Sequence, residues 1–262
     1  MHPIALQLGR LIITSYGVMM ALAFLAGIWT AARLAPFGGI PGEKVLDLGP
    51  WLIVGGIAGA RLLYVISYWP ERFAGQPLWE LFMVWNGGLV YYGGFIGAAL
   101  ACIVYARVRK LPLWKLADVM APSVALGSAF GRIGCFLNGC CYGRACHLPW
   151  AVTFPETARG APPGVPLHPT QIYDSLLNLA LYGGLAWLYR RKKFDGQVFA
   201  SYLGGYALLR SFVEAFRGDY PVYLNGWATP GQKVSLGIFA AGLLLWWGLP
   251  RLSLRQKASG KR

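Results

Sequence analysis

"LIITSYGVMMALAFLAGIWTAA", residues 11 to 32, contains no charged side chain and is long enough, as a helix, to cross the hydrocarbon core of a bilayer. Apolar runs of similar length, five of them carrying one or two charged residues, return near residues 47 to 68, 87 to 106, 116 to 137, 171 to 189, 197 to 216 and 233 to 250. Seven such runs predict an all-α, polytopic membrane protein with about seven transmembrane helices in a single domain over residues 1–262. Composition agrees: 56% hydrophobic against 13% charged residues is not the balance of a soluble domain. The first run is too long for a signal-peptide core and no small-residue cleavage site follows it, so it is expected to stay as a helix.

The formal net charge of +14 raises nucleic acid as a partner, but the basic residues are not gathered on one face. They fall at alternate loops. Arg33, Lys44, "RVRKLPLWK", "RRKK" and the tail "RLSLRQKASGKR" together hold fifteen of the 24 Lys and Arg, while the opposite loops hold six and the spans three. Positive residues concentrate on the cytoplasmic side of membrane proteins, which predicts an N-out, C-in orientation and no nucleic-acid role. The basic loops then meet anionic membrane lipids.

The outer side carries the non-helical material. Residues 69 to 86, "WPERFAGQPLWELFMVWN", have a proline at their second position and suit an arm lying at the membrane interface. Residues 138 to 170 are rich in Gly and Pro and predict an irregular extracytoplasmic cap.

Charge inside a span is costly in hydrocarbon, so the arginines within the apolar runs are the first candidates for function. They are Arg61 in "GARLLYV", Arg132 in "GRIGCFLNG" and Arg210 in "YALLRSFVEAFR". Internal salt bridges and snorkelling are the structural alternatives. Tyr206, Arg210 and Glu214 follow one another at i, i+4 and i+8, so they share a helix face, with Arg217 a turn beyond. With Glu214 as the one local counter-charge, Arg132, Arg210 and Arg217 are expected to leave surplus positive charge. A guanidinium grips phosphate through two parallel hydrogen bonds, and at this depth the phosphate would be a phospholipid headgroup. Gly127, Gly131, Gly134 and Gly139 around Arg132 permit close approach of helices or acyl chains.

Cys135, Cys140, Cys141 and Cys146 crowd the same region, and Cys102 lies alone in a span. Their C-x4-C-C-x4-C spacing is not the paired C-x2-C of common zinc sites, so no metal is expected. A disulfide among the outer four and plain packed thiols both remain open.

These stretches, taken together, resemble the bacterial prolipoprotein diacylglyceryl transferase family along almost the whole chain. The resemblance is carried by "SYGVMMALAF" (15 to 24), "GARLLYV" (59 to 65), "GGLVYYGGFIG" (87 to 97), "ADVMAP" (117 to 122), "GRIGCFLNGCCYG" (131 to 143), "HPTQIYD" (168 to 174) and "YALLRSFVEAFR" (206 to 217), in that order. It implies a seven-helix enzyme of the bacterial cytoplasmic (inner) membrane, its active site facing the outer leaflet. Such an enzyme moves the diacylglyceryl group of phosphatidylglycerol onto the lipobox cysteine of a preprolipoprotein signal peptide, the first step of lipoprotein maturation. No cofactor is implied.

On that resemblance Arg132 and Arg210 are the phosphate-clamping catalytic residues, since displacement of a phosphate builds negative charge on the leaving oxygen. Glu214 and Tyr206 orient Arg210. Tyr16 lines the lipid site, and Arg61, Asn138, Arg217 and His168 complete the substrate-binding set. Two positions depart from the family pattern: many members have histidine at Tyr92 and asparagine at Cys135. A phenol with an ordinary pKa near 10 is a poor general base, so Tyr92 is expected to hydrogen-bond at the catalytic site, with His168 or ionisation of the substrate thiol beside the arginines as other routes for the proton. The rival readings are a lipid transporter, which calls for paired repeats or interrupted helices, and a thiol-redox carrier, which calls for C-x-x-C. The sequence shows neither feature.

Overall fold

The computed structural model describes residues 3–8, 11–158, 160–219 and 229–259, and these are mostly helical. The chain opens with an antiparallel hairpin, β1 (Ile4–Leu8) with β2 (Leu11–Thr14). Residues 11 to 14, expected in the first span, are therefore strand. The β-branched pair Ile12 and Ile13 suits it, and Thr14 stops the helix from extending backwards: its Oγ1 accepts from the Gly17 amide at 3.1 Å, as a helix N-cap does.

Seven α-helices follow among the described residues: α1 (Ser15–Leu34), α2 (Gly42–Ser67), α3 (Tyr91–Val108), α4 (Leu113–Asn138), α5 (Thr170–Tyr189), α6 (Gln197–Glu214) and α7 (Pro230–Ser259). Five stretches, in α1, α2, α3, α4 and α7, are long and apolar enough to cross a membrane. α5 and α6 fall short for a physical reason. They carry polar side chains inward: Thr170, Gln171, Asp174, Ser175 and Asn178 make up most of the buried face of α5, and Gln197 and Glu214 are buried at the two ends of α6 among apolar neighbours. Large apolar side chains such as Leu25, Val54, Leu62 and Leu244 point outward, the arrangement expected of a multi-pass membrane protein whose solvent is lipid.

The chain divides into two units, residues 35–116 and the remainder. In the first, α2 and α3 meet at glycines. A Cβ on Gly55 would stand 2.9 Å from the Gly97 carbonyl oxygen, and one on Gly93 would stand 2.6 Å from Leu63 Cβ, so the backbones touch only because those side chains are absent. The segment 69 to 86 belongs here too. It is a wide π turn (Trp69–Phe73) followed by two 3-10 turns (Leu78–Phe82 and Val84–Asn86), with Leu78, Trp79, Phe82 and Trp85 exposed.

In the second unit α1 runs antiparallel along α4. Gly27 faces the Ser123 carbonyl, Gly127 the Ala23 carbonyl, and Gly134 the Tyr16 ring, where an added Cβ would stand 3.2 Å from the ring. The glycines around Arg132 thus serve helix packing. α5 ties to α4 through Ser175 Oγ, which donates to the Ala129 carbonyl at 3.0 Å. α6 is capped from a distance: the fully buried carboxylate of Asp118, on α4, accepts from the amides of Gly196 (2.8 Å) and Phe199 (3.0 Å) and pairs with Lys192 at 2.9 Å. α7 starts on a capping box. The Gln232 amide donates to Thr229 Oγ1, and the Thr229 amide to Gln232 Oε1. Residues 138 to 170 form a cap with its own small core, Phe154, Ala161 and Leu167, beside β3 (Val152–Thr153) paired with β4 (Pro166–Leu167).

Candidate active site around Arg132

Arg132 sits in the last turns of α4 with Gly131 and Gly134 on either side. Its Nε lies 2.7 Å from Asp174 Oδ2, across from the first turns of α5. The carboxylate is itself fixed, because Asn178 Nδ2, one turn on, donates to Asp174 Oδ1 at 2.7 Å and to the Asp174 carbonyl at 2.8 Å. Pairing through Nε leaves the two terminal nitrogens of Arg132 without a hydrogen-bond partner among the described residues. Its side chain is 20% exposed while that of Asp174 is 4% exposed. The guanidinium is thus anchored at its base and open at its fork, the geometry that takes a phosphate bidentately.

Arg210 and Glu214 pair at 2.7 Å on α6, as their i, i+4 spacing predicts. Thr229, just before α7, donates to the other oxygen of Glu214 at 2.9 Å. Gly231 lies so close that a Cβ there would stand 2.7 Å from Glu214 Cδ. Arg217 pairs with Asp219, its Nε donating at 2.8 Å. The expected surplus of positive charge is therefore corrected. Each of the three arginines has its own carboxylate, and the sequence reading overlooked Asp174 and Asp219.

The cap threads these parts together. The segment from Tyr142 to Cys146 runs between two others: Gly143 and Cys146 donate to the carbonyls of His168 and Pro166, while Arg144 donates to Phe216 and Gly218 donates to Tyr142. Glycine is required at 143, where a Cβ would stand 2.6 Å from the His168 carbonyl oxygen. The "HPTQIYD" stretch is built to hold the signature loop. Thr170 Oγ1 donates to the Cys141 carbonyl at 2.9 Å, Gln171 Nε2 to the Cys140 carbonyl at 2.8 Å, and Asp174 holds Arg132.

The remaining expected site residues take up distinct places. Tyr16, on α1, packs beside Gly134, two residues beyond Arg132. Tyr206 stacks on Tyr202 with ring centroids 5.8 Å apart. His168 shares its Nδ1 with Tyr173 Oη at 3.3 Å, and that hydroxyl also accepts from Trp150 Nε1 at 2.7 Å, so the imidazole is part of the cap's framework. Asn138 turns toward Cys140, its Nδ2 3.6 Å from Sγ.

Arg61 and Tyr92 belong to the other unit. Arg61 is buried, and its nitrogens donate to the carbonyls of Leu81 (2.9 Å), Gly87 (2.7 Å), Gly88 (3.3 Å) and Glu80 (2.6 Å), with Tyr64 and Phe73 rings against the guanidinium. It is the anchor of the 69–86 arm, so any part it has in substrate binding runs through that arm. Tyr92 lies in the first turn of α3, 65% exposed, edge-on to Tyr91.

All five cysteines are free. Hydrogen bonds from Cys135 and Cys140, with Arg217 and Arg132 nearby, hold the Cys141 thiol well below the ordinary thiol range against the opposing effect of burial.

Residues 3–248 match the sequence model of a family described as prolipoprotein diacylglyceryl transferase. Among similar proteins is one of Gloeobacter violaceus, 36% identical over 98% of this chain and 96% of its own length. Another, of Synechococcus elongatus, is 37% identical over 95% and 89%, and a third, of Solidesulfovibrio magneticus, is 38% identical over 98% and 97%. All three carry the name phosphatidylglycerol–prolipoprotein diacylglyceryl transferase.

Proposed function

The chain belongs to the prolipoprotein diacylglyceryl transferase family, and from that membership and the open fork of Arg132 we propose how it moves the diacylglyceryl group of phosphatidylglycerol to the lipobox cysteine of a preprolipoprotein. The substrate sulfur forms a bond to the glyceryl carbon. The bond from that carbon to the phosphate oxygen breaks, and glycerol phosphate leaves with the electron pair. Arg132 receives the developing charge through its terminal nitrogens while Asp174 fixes its direction. Arg210, oriented by Glu214 and Thr229, is the second clamp. Preorganised donors of this kind are worth about 2.7 to 4 kcal/mol each in the transition state.

In this reading Tyr16, Tyr206, Asn138, Arg217 and His168 shape the headgroup site, directly or through the cap. Arg61 acts through the arm, whose exposed Trp79 and Trp85 suit the interface where signal peptides lie. Tyr92 donates a hydrogen bond to the donor lipid. α5 and α6 join the five apolar helices as crossings, their 20 and 18 residues being enough for the core of a bilayer and their polar faces shielded by neighbours. The alternating charge of the loops favours N-out, C-in insertion in the bacterial inner membrane, with the cap outside.

The test is direct. Purified protein is incubated with phosphatidylglycerol and a lipobox peptide, and the peptide is weighed. A diacylglyceryl increment on cysteine is expected; its absence with every anionic donor lipid, for a protein that is folded, refutes the reading.

A further inference from the structure

α4 ends in a motif that brings two cysteines together. The Cys140 amide donates to the Cys135 carbonyl at 3.1 Å and the Gly139 amide to the Phe136 carbonyl at 3.2 Å, while Gly139 takes φ +78°. This is a Schellman closure, in which the residue three before the helix cap and the residue two after it meet side by side. Those two residues are Cys135 and Cys140. Cys141 follows at φ +62°, in the left-handed region, and Thr170 and Gln171 hold the loop there through the carbonyls of Cys141 and Cys140. The three sulfurs lie within 4.8 Å of one another, half-buried and free. A disulfide bond is about 2.05 Å long, and a change of side-chain rotamer moves a sulfur far enough to close the gap.

From this geometry we infer that Cys135 and Cys140 form a reversible oxidation site: a small-molecule disulfide drives a bond between their sulfurs, and that bond slows diacylglyceryl transfer, a consequence that rests on the transferase reading above. Cys141 is the entry point. Hydrogen bonds from Cys135 and Cys140, with Arg217 and Arg132 nearby, favour its thiolate, and the thiolate is the form that attacks a disulfide. Its sulfur bonds to one sulfur of the oxidant, and the other leaves as a thiolate. Neighbouring Cys140 is poorly placed to bond Cys141, so Cys135 displaces the oxidant's second sulfur from Cys141. Cys140 then attacks the sulfur of Cys135, and Cys141 departs as the most stabilised thiolate of the three. Cys135 and Cys140 have together given up two electrons and two protons, and the oxidant has become two thiols.

The bond has leverage on the site. It draws Cys140 toward α4, and the carbonyls of Cys140 and Cys141 are tied to Gln171 and Thr170, one turn ahead of Asp174 on α5. Asp174 aims Arg132, which stands three residues before Cys135 on α4. Oxidation therefore pulls on both ends of the contact that directs the guanidinium. A misplacement of about 1 Å can cost roughly 100-fold in rate, so the oxidised protein is expected to transfer at least about tenfold more slowly.

Purified full-length protein is equilibrated with glutathione mixtures from fully reduced to fully oxidised, quenched with acid, unfolded, alkylated with N-ethylmaleimide and cut with trypsin. Residues 133 to 144 then form one peptide holding Cys135, Cys140 and Cys141, and Cys146 falls on the next. From reduced protein the peptide should carry three alkyl groups. From oxidised protein it should carry one, placed on Cys141 by fragmentation, and Cys146→Ser should give the same pattern. An alkyl group on Cys140 in place of Cys141, or three alkyl groups at every ratio, overturns the proposal. For the rate, glutathione is removed before phosphatidylglycerol and a lipobox peptide are added. Oxidised wild type should be slowed at least about tenfold, dithiothreitol should restore it, and Cys135→Ser should be indifferent to the ratio. Equal initial rates for oxidised and reduced wild type, or equal slowing of Cys135→Ser by the oxidant, overturn the switch and leave the transferase reading intact; the wild-type pair decides alone where Cys135→Ser does not fold. The bond forming in a folded protein that transfers nothing in either state upholds the oxidation site and refutes the transferase reading.

Discussion

Asp174 is held by Asn178 and in turn holds Arg132: Asn178 Nδ2 and Arg132 Nε each stand 2.7 Å from a different oxygen of the one carboxylate. The chain of contacts runs from the interior of α5 to the end of α4, and it aims the guanidinium without using its fork. Asp174→Asn removes the charge and keeps the shape. The partly exposed arginine then lacks its counter-ion; loss of one partner of a fully buried pair costs about 3–5 kcal/mol, and this pair, open to solvent on the arginine side, should cost less. Thermal unfolding should fall accordingly. In the fraction that folds, the rate of peptide alkylation should drop more than the affinity for lipid. Unchanged stability and rate would remove Asp174 from the site.

Lysine at Arg132 or Arg210 keeps the positive charge and loses the planar fork. A single ammonium cannot both hold the carboxylate and present two parallel donors, so neither variant should rescue activity. The expected loss for Arg132→Lys is on the order of 100-fold in turnover, the usual effect of removing an oriented oxyanion donor. Wild-type turnover in a normally folded Arg132→Lys protein contradicts the clamp.

Arg61 gathers four carbonyls from residues 80, 81, 87 and 88. Each hydrogen bond from a charged donor is worth about 1.5–3 kcal/mol, and an ammonium cannot span them all. Arg61→Lys should therefore loosen the arm while leaving the glycine-mediated contact of α2 with α3 in place. Limited proteolysis should cut the variant between residues 74 and 90 at least tenfold faster than wild type. Equal cleavage rates would mean that the arm is held by something else.

The apolar runs of 20 or so residues were legible as helices because bilayer thickness imposes length directly, and Arg210 with Glu214 was legible because i, i+4 spacing places both on one face. Arg132 could be singled out, yet its partner could not be assigned. Asp174 and Asn178 do stand at i, i+4 in the run 171 to 189, and that polar pair in an apolar helix was the available signal. The path of the loop after Asn138 was illegible for a different reason: it depends on a left-handed residue at Cys141 and on contacts of Thr170 and Gln171 with the carbonyls of Cys141 and Cys140, none of which a spacing rule encodes. The partners of Arg61 were not legible, because a buried guanidinium looks the same in sequence whether it meets phosphate or backbone carbonyls.

Cys146 stands apart from the other three, with its backbone paired to Pro166 in the cap. A membrane-impermeant thiol reagent applied to intact spheroplasts should label wild-type protein more than Cys146→Ser, because the cap is proposed to lie outside the cytoplasm. A difference seen only in inverted vesicles would reverse the orientation.

Tyr92 stands in the first turn of α3 beside Gly93 and Gly94, 65% exposed, with its hydroxyl free to reach a ligand from that helix end. A phenol with ordinary acidity near pH 10 gives up its proton too reluctantly to serve as a base at neutral pH, but it donates a hydrogen bond well. Donation does not require ionisation. Tyr92→Phe should therefore slow the reaction by no more than the roughly 0.5–3 kcal/mol of a lost hydrogen bond, about 2- to 150-fold, and the slowing should be the same at every pH from 6 to 9. Tyr92→His should be tolerated, since imidazole is also a donor. Its sign with pH is the informative part. If the position merely donates, both imidazole and imidazolium serve and the rate stays flat as pH falls; if it must accept a proton, the rate of Tyr92→His falls below a pKa near 6.5 as the ring becomes charged. An inactive Tyr92→Phe together with that acidic limb in Tyr92→His would show that the proton passes through this residue, and the donor role assigned to it here would be wrong.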